Sequence, residues 1–295
     1  MKLVHHPGYN LSLGPHVFPS EKFQMIRDRL VSEGTFCEED VLRPEPATTQ
    51  QLLLAHDAAW ITALQNGTIT MQQIMRLEIP YSQPMVRAFQ LMAGGTILAA
   101  RAAMEEGAAM NIGGGFHHAH AGHGEGFCAI HDVAVAIRVM QHEGRIRKAL
   151  VIDCDVHQGN GTAAIFADDP KVFTISLHQF DNYPFEKPPS NIDVHLPNDM
   201  EDDEYLVLLE ANYTTALAEF KPDLVMYVAG ADPYFDDQLG GLALTLEGLR
   251  ERDRVVAEGA RSRAIPIVGT TAGGYARRLE DTVTIQATTA AVLRG

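Results

Sequence analysis

The chain has 295 residues and 46% hydrophobic content, enough to bury one large core or two modest ones. Its formal net charge of −15 argues against nucleic acid as a direct partner, because phosphate binding needs a basic face. An acidic surface can still attract cationic substrates. No linker-like, low-complexity or repeated segment interrupts the sequence, which predicts a single domain over residues 1–295.

Cysteine usage and the lack of long apolar segments bear on the location of the protein. The three cysteines, Cys37, Cys128 and Cys154, form no close pair, so we expect no disulfide framework and a reducing compartment. The amino terminus lacks the apolar core of a signal peptide, and no segment approaches the roughly 20 uncharged apolar residues that span a bilayer. These features predict a soluble, cytoplasmic protein.

Hydrophobic periodicity in the first third of the chain predicts mainly helices. Amphipathic helices are expected over Ser20–Glu33 and Thr48–Leu64, followed by a longer, mostly apolar helix over Arg87–Glu105. The apolar run Ala108–Ile112 is predicted to form a strand.

Strand and helix patterns alternate in the second half of the chain. Such alternation predicts parallel βαβ units wound in the right-handed sense. The expected fold is α/β, a three-layer domain in which a central, mostly parallel sheet carries helices on both faces. The predicted elements are strands at Ala149–Ile152, Val172–Leu177, Leu224–Val228 and Ile265–Val268, a short helix at Thr162–Phe166, and longer helices at Asp203–Phe220 and, capped by Thr245, at Leu246–Arg263.

The segment that follows the predicted strand Ala149–Ile152 contains alternating carboxylate and imidazole side chains. Asp153, Asp155 and His157 are spaced by two, so their side chains share a face while the chain stays extended. Both residue types are ordinary Zn²⁺ ligands, and an open catalytic site needs three protein ligands. Asp155 and His157 are therefore candidate ligands. The alternative is a solvated loop in which Asp153 or Asp155 caps the next helix.

A third ligand is expected from a neighbouring strand end, because ligands collect outside the carboxyl ends of parallel strands. Asp232 follows Leu224–Val228 and is the leading candidate. A single aspartate at such a position is more often a helix cap. The preceding Gly230 and the acidic segment 236–241 favour the metal interpretation without settling it.

Two further strand ends carry polar side chains that suit amide hydrolysis. His117 and His118 follow three glycines, and adjacent imidazoles can divide the roles of general base and acid, with Asp153 and Asn160 as hydrogen-bond partners. Tyr275 follows two glycines and could donate to an oxyanion, although a buried core tyrosine is commoner. The alternatives for the histidines are a surface loop, or a metal site of their own, because more histidines follow, at positions 120, 123 and 131.

Taken together, these segments resemble the histone deacetylase family, part of the arginase/deacetylase superfamily. The match runs in order from about Pro80 to Tyr275. The run from Ile79 to Ser82, leading to Gly94-Gly95-Thr96, is similar to the class IV branch, here a bacterial-type member. The matching segments are Gly114–His118, Gly126-Phe127-Cys128, Asp153–Gly161, Ser176-Leu177-His178, Gly230-Ala231-Asp232 and Gly273-Gly274-Tyr275.

This resemblance implies a zinc-dependent deacylase with a defined division of roles. One Zn²⁺ would be held by Asp155, His157 and Asp232. His118 would be the main general base and acid, and Tyr275 would stabilise the oxyanion. The remaining implied catalytic groups are His117, paired with Asp153, and Asn160.

The resemblance also implies a structural cation and a substrate tunnel. A potassium ion would take oxygens from the metal-binding segment and from the next strand, at Asp153, Asp155, His157, Ser176 and Leu177. Phe127 would form one wall of a narrow acyl-lysine tunnel, and Tyr183 and Phe185 are expected on the opposite wall. The tunnel set is completed by Gly126, Gly273 and Gly274.

Some positions depart from the family pattern and leave alternatives open. Asn160 stands where many members have a second aspartate, so His118 would lack a charged partner and have a lower pKa. No clear equivalent exists of the rim aspartate that grips the substrate backbone in some relatives. Acylated lysine is the expected substrate, with acetylpolyamines or other small acyl-amines as the alternative. Other possibilities are an arginase-like enzyme with two manganese ions, disfavoured by Asn160 and Tyr234, and a non-catalytic acyl-amine sensor.

Overall fold

The protein, described by a computed structural model over residues 1–295, contains eight strands in one sheet. All neighbouring strands in the sheet run parallel. The strands are β1 (Lys2–Val4), β2 (Val41–Leu42), β3 (Ala108–Asn111), β4 (Ala149–Asp153), β5 (Val172–Gln179), β6 (Ile192–Leu196), β7 (Leu224–Val228) and β8 (Ile267–Thr270).

Ten α-helices accompany the sheet. The helices are α1 (Lys22–Ser32), α2 (Thr49–Leu52), α3 (Ala58–Asn66), α4 (Met71–Leu77), α5 (Gln83–Glu106), α6 (Asp132–His142), α7 (Asn160–Phe166), α8 (Asp202–Phe220), α9 (Leu246–Arg261) and α10 (Leu279–Arg294).

Helices cover both faces of the sheet. Helix α5 packs on β1, β3 and β8, whereas α10 packs on β3 and β8 from a separate group of helices that includes α1 and α9. Because α5 and α10 share strands but do not pack on each other, they lie on opposite faces. One apolar core extends from Leu3 in β1 to Leu293 in α10. The predicted α/β architecture with a central sheet between helical layers is confirmed.

The local sequence explains where several elements begin. Ser82 caps α5 by accepting a hydrogen bond from the Met85 amide over 3.2 Å, and Pro84 occupies the first turn, where its missing N–H costs nothing. Thr245 caps α9, as expected, by accepting from the Gly248 amide over 3.0 Å. Strand β7 has the predicted bounds, β4 extends one residue beyond its prediction, and β8 is shifted by two residues at both ends.

The single helix predicted over Thr48–Leu64 is wrong. The chain instead forms α2 and α3, separated by a break around His56 and Asp57. The amide of Asp57 donates to the carbonyl of Ala121, and His56 Nε2 accepts from the amide of His131. These tertiary hydrogen bonds outweigh the local helical pattern.

The strand order is β2-β1-β3-β8-β7-β4-β5-β6, and it places the four loops that contain the predicted site residues side by side. Strands β3, β8, β7 and β4 are consecutive neighbours, so their carboxyl ends lie along one edge of the sheet. The loops that follow them contain the four predicted segments, at residues 113–118, 273–275, 229–232 and 153–157. No helix of the fold has the length and apolar character that crossing a membrane requires.

Candidate active site

Asp155, His157 and Asp232 converge at the ends of β4 and β7. Their ligand atoms all lie within 4.8 Å of one another, and all three residues are buried. His157 Nδ1 is 3.1 Å from Asp155 Oδ1 and 3.4 Å from Asp232 Oδ2. The sequence expectation that these three side chains share one site agrees with this geometry.

One buried carboxylate oxygen of this set accepts no hydrogen bond. Asp232 is fully buried; its Oδ1 accepts from the amide of Val156 over 2.9 Å, whereas its Oδ2 has no hydrogen-bond partner. Burial and the neighbouring Asp155 carboxylate raise the pKa of Asp232. Burial opposes charge on His157, but Asp155 and Asp232 raise its pKa to about 10. A buried, unpartnered carboxylate oxygen beside an imidazole and a second carboxylate fits a divalent cation such as zinc.

Glycines let the neighbouring loops approach these carboxylates. Gly273 donates its amide to Asp155 Oδ2 over 2.8 Å, and a Cβ added to Gly273 would lie only 2.6 Å from that oxygen. A Cβ added to Gly230 would meet the same oxygen at 2.6 Å. Any larger residue at either position would therefore displace the Asp155 side chain.

His117 is paired with Asp153 beside this set. His117 Nδ1 lies 2.7 Å from Asp153 Oδ2, and both side chains are buried. Burial alone would lower the pKa of His117, but the Asp153 and Asp155 carboxylates raise it to about 9. His117 is therefore held as a cation at neutral pH.

His118 has the opposite electrostatic environment. Its Nδ1 lies 2.7 Å from the amide oxygen Oδ1 of Asn160, which carries no charge. Burial, followed by the neighbouring His117 and His157, lowers the pKa of His118 well below its ordinary value. The two adjacent histidines thus differ in charge, the arrangement expected when one acts as a base and the other as a cationic neighbour.

The loop that presents the two histidines depends on Asp132, a residue that no sequence pattern singles out. The buried Asp132 carboxylate accepts from the amides of Gly115 and Phe116, at 3.0 and 2.8 Å, and from the Thr96 hydroxyl at 2.5 Å. Gly114, which precedes them, has a φ of +139°, and a Cβ there would lie 2.5 Å from the Asp132 oxygen. This packing explains the glycine at position 114.

An apolar cavity of about 190 Å³ opens onto these polar groups. Its wall includes four of the predicted tunnel residues, Gly126, Phe127, Tyr183 and Gly273, together with residues absent from the prediction, among them Phe18, Glu78 and Leu239. Phe18 comes from a loop whose sequence shows no metal-site pattern, and Leu239 is an apolar residue within the acidic segment 236–241. Only the fold brings them to the cavity.

Tyr275 lines the same cavity. Its ring is 6% exposed and lies 6.1 Å, between centroids, from the rings of both Phe18 and Phe127. Its amide donates to Asp237 Oδ2 over 2.6 Å, and Asp237 Oδ1 accepts from two further amides in its own loop. Asp237 therefore ties the Tyr275 loop to the loop that follows Asp232, a role the sequence did not reveal.

Lys22 supports the other side of the Tyr275 loop. Its ammonium is fully buried and donates to the carbonyls of Ala272 and Gly273 over 2.9 and 3.2 Å. Burial lowers the pKa of Lys22 to about 8, and the nearby Asp232 and Asp155 carboxylates oppose this shift. A buried cation beneath two carboxylates partly balances their charge.

Two tunnel predictions are wrong. Phe185 is 98% exposed and lies outside the cavity, because the chain turns Tyr183 inward and leaves Phe185 in solvent. Gly274 lies behind the wall, where a Cβ would meet Ala231 and Thr282 instead of the cavity.

The residues predicted to hold potassium lie at the end of β4 and within β5. Asp153 and Ser176 are direct neighbours in the parallel register, and Leu177 is the next residue of β5. All three are buried. They lie beside Asp155 and His157, and the potassium site stays a prediction.

No buried carboxylate near Asp155, His157 and Asp232 is left free to bind a second metal ion. The remaining buried carboxylates nearby are Asp153, which His117 engages, and Asp237, which three amides engage. His120, His123 and Glu125 form a separate cluster whose ligand atoms lie within 4.8 Å of one another. The two-metal arrangement is therefore not favoured.

Comparison with known proteins places this site in a family. The histone deacetylase domain model matches residues 16–291. An uncharacterized protein of Picosynechococcus sp. is 40% identical over 95% of this chain and 94% of its own length. Histone deacetylase 2 of Arabidopsis thaliana is 35% identical, over 88% of this chain and 70% of its own length. The acetoin utilization protein AcuC of Bacillus subtilis is 29% identical, over 85% of this chain and 71% of its own length.

Solved structures share the fold. The HD domain of HDA15 superimposes with a TM-score of 0.83 over 100% of this chain and 91% of that chain, at 23% identity, a similarity of fold alone. An HDAC homolog complexed with SAHA has a TM-score of 0.83 and 25% identity, over 100% of this chain and 83% of that chain. The family predicted from the sequence motifs is confirmed. The chain belongs to the histone deacetylase family, and family and fold together support a deacetylase hydrolase.

Proposed function

We propose that the protein is a zinc-dependent amidohydrolase that removes acetyl or longer acyl groups from lysine side chains or related amines. The observation that carries this proposal is the convergence of three groups on one apolar cavity. The first group is Asp155, His157 and Asp232, with the Asp232 oxygen that accepts no hydrogen bond. The second is the pair of adjacent histidines, in which the pKa of His117 is raised and that of His118 is lowered. The third is Tyr275.

Asp155, His157 and Asp232 would hold the zinc ion. Zinc there would supply Lewis-acid chemistry, polarising the amide carbonyl and making water a better nucleophile near neutral pH. The protein's own contribution is to keep the three ligands close and buried, with Gly273 donating to Asp155 from behind. That outer hydrogen bond fixes the direction of the carboxylate.

His118 and His117 would handle the protons. Neutral His118, whose Nδ1 faces Asn160, has its Nε2 available to take a proton from the attacking water and to pass it to the departing amine. His117, held as a cation by Asp153, would add positive charge near the developing oxyanion. Tyr275 would donate its hydroxyl to the same oxyanion.

A potassium ion would fit the proposal as a structural element. Asp153, Asp155 and His157, at and just after the end of β4, and Ser176 and Leu177, within the neighbouring β5, offer hard oxygen donors. An ion there would stiffen the base of the metal-binding segment. It would take no part in proton transfer.

Small acylated polyamines form a second candidate substrate class, and one residue favours them. The exposed Glu78 lines both the cavity and the adjoining groove, at the entrance. A carboxylate there would attract the distant ammonium of an acylated diamine, in keeping with the net charge of −15. Glu78→Gln should then weaken polyamine hydrolysis more than lysine deacylation.

The proposal is tested by assaying zinc-loaded protein with acetyl-lysine, longer acyl-lysine and acetylated diamine substrates. We expect hydrolysis that a chelator abolishes and added zinc restores, and that Asp232→Asn eliminates. Activity that survives complete zinc removal would reject the mechanism. Tight binding of acyl-lysine without turnover would instead identify a sensor.

A further inference from the structure

Behind the His118 imidazole, a chain of hydrogen bonds leads to an ion pair near the surface. His118 Nδ1 is 2.7 Å from Asn160 Oδ1, and Asn160 Nδ2 donates to Glu125 Oε1 over 2.6 Å. The other oxygen of Glu125 accepts from Arg76 Nε over 2.6 Å. The Glu125 side chain is 9% exposed, against 53% for Arg76, so this chain of hydrogen bonds runs from the buried site toward the surface.

The backbone holds Glu125 close to His118. Glu125 and Cys128 exchange two backbone hydrogen bonds, at 3.0 and 2.9 Å, which fix the turn between them. The next residue, Gly126, has a φ of +50°, and a Cβ there would lie 2.9 Å from His118 Cδ2. Glu125 therefore cannot shift without disturbing the segment that encloses His118.

The chemistry of these groups determines which atom donates and which accepts in each hydrogen bond of this chain. Burial would raise the pKa of Glu125, but the hydrogen bonds it accepts hold the pKa well below its ordinary value, so the side chain is a carboxylate. A carboxylate only accepts hydrogen bonds, so Asn160 must turn its NH₂ group toward Glu125 and its oxygen toward His118. That oxygen requires a hydrogen on His118 Nδ1, which leaves the lone pair on Nε2.

We propose that Glu125 is a positioning residue that orients the Asn160 amide and thereby selects the His118 tautomer able to accept a proton. This inference rests on the proposed deacylase function. The geometry also makes Glu125 and Asn160 a matched pair. A carboxylate at position 160 would face Glu125 Oε1 across 2.6 Å and be repelled by it. The presence of Glu125 is thus a physical reason for asparagine at this position.

A double-mutant cycle on the zinc-loaded full chain tests the coupling. Asn160→Asp alone is expected to lower kcat roughly 100-fold, with KM nearly unchanged, because general acid–base catalysis is impaired. Glu125→Gln alone is expected to lower kcat about 10-fold, because a neutral amide no longer dictates the orientation of Asn160.

The double variant Glu125→Gln/Asn160→Asp separates positioning from a general structural role. The introduced amide can donate to the introduced carboxylate, which again accepts from His118 Nδ1. A double variant with a higher kcat than Asn160→Asp alone supports the proposal. An equal or lower kcat overturns it, because losses that merely accumulate indicate only damaged structure.

The tautomer of His118 gives a readout that needs no turnover. Imidazole ¹⁵N shifts of folded, labelled protein should show the Nδ1–H form in the wild type and a mixture with the Nε2–H form in Glu125→Gln. A wild-type His118 protonated on Nε2 overturns the inference. An inactive wild type with the expected tautomer counts against the proposed function alone. Glu219→Gln, on an exposed position of α8, is the matched control and should change neither kcat nor the tautomer.

Discussion

Replacing Tyr275 with phenylalanine removes one oxygen atom from the cavity wall and leaves the packing of the ring intact. The ring is held between Phe18 and Phe127, and the loop is held through the Tyr275 amide and Asp237. Tyr275 forms hydrogen bonds through its amide and its carbonyl and none through its hydroxyl, so removing the hydroxyl leaves no buried group unpaired. The free energy of unfolding should therefore stay within about 0.5 kcal/mol of the wild type.

The substitution should instead lower kcat, because the hydroxyl would stabilise the transition state. Loss of one oxyanion donor typically lowers kcat by about 10²- to 10³-fold, equivalent to roughly 3–4 kcal/mol. Steady-state kinetics on an acetyl-lysine substrate should show this fall with little change in KM, while thermal unfolding stays constant. A Tyr275→Phe enzyme with wild-type kcat would refute the role assigned to the hydroxyl.

Two further predictions concern stability. Acid should destabilise the fold through His56, because burial lowers the folded-state pKa of this imidazole to about 4, below the ordinary value of 6.5. As the pH falls, the unfolded chain binds the proton before the folded chain does. The contribution of His56 to the free energy of unfolding is therefore complete above pH 6.5 and falls by about 1.4 kcal/mol per pH unit toward pH 4. Urea unfolding at pH 7 and pH 5 should show a smaller pH dependence for His56→Gln than for the wild type, and an unchanged pH dependence would contradict the prediction. Lys22→Met should cost about 1–3 kcal/mol of unfolding free energy by leaving the Ala272 carbonyl unpaired, whereas the exposed Lys171→Met should cost almost nothing; equal effects would contradict the assigned role.

The sequence predicted those parts of the site that lie directly after apolar strands. Asp155 and His157 are two residues apart at the end of β4, and Asp232 follows β7, its neighbour in the sheet. A parallel sheet aligns the carboxyl ends of its strands, so local patterns sufficed to bring these side chains together. The elements predicted best were the buried strands and long helices, whose apolar patterns are strongest.

The supporting residues could not be predicted in this way. Asp132, Lys22 and Glu125 act through contacts with distant segments, and a charged residue outside any motif has no periodicity that distinguishes it from a surface residue. The edge strand β6 is only partly buried and lacks the apolar run that marked the central strands. The Phe185 prediction is wrong because Tyr183 faces the cavity whereas Phe185, two residues later, faces solvent.

The central claim is that Asp155, His157 and Asp232 share one zinc ion at the base of the cavity. Anomalous diffraction at the zinc edge, from crystals of zinc-loaded protein, locates the metal directly. One peak within bonding distance of these three side chains is the expected result. A peak only at the cluster of His120, His123 and Glu125, or two adjacent peaks at the Asp155 set, would contradict it.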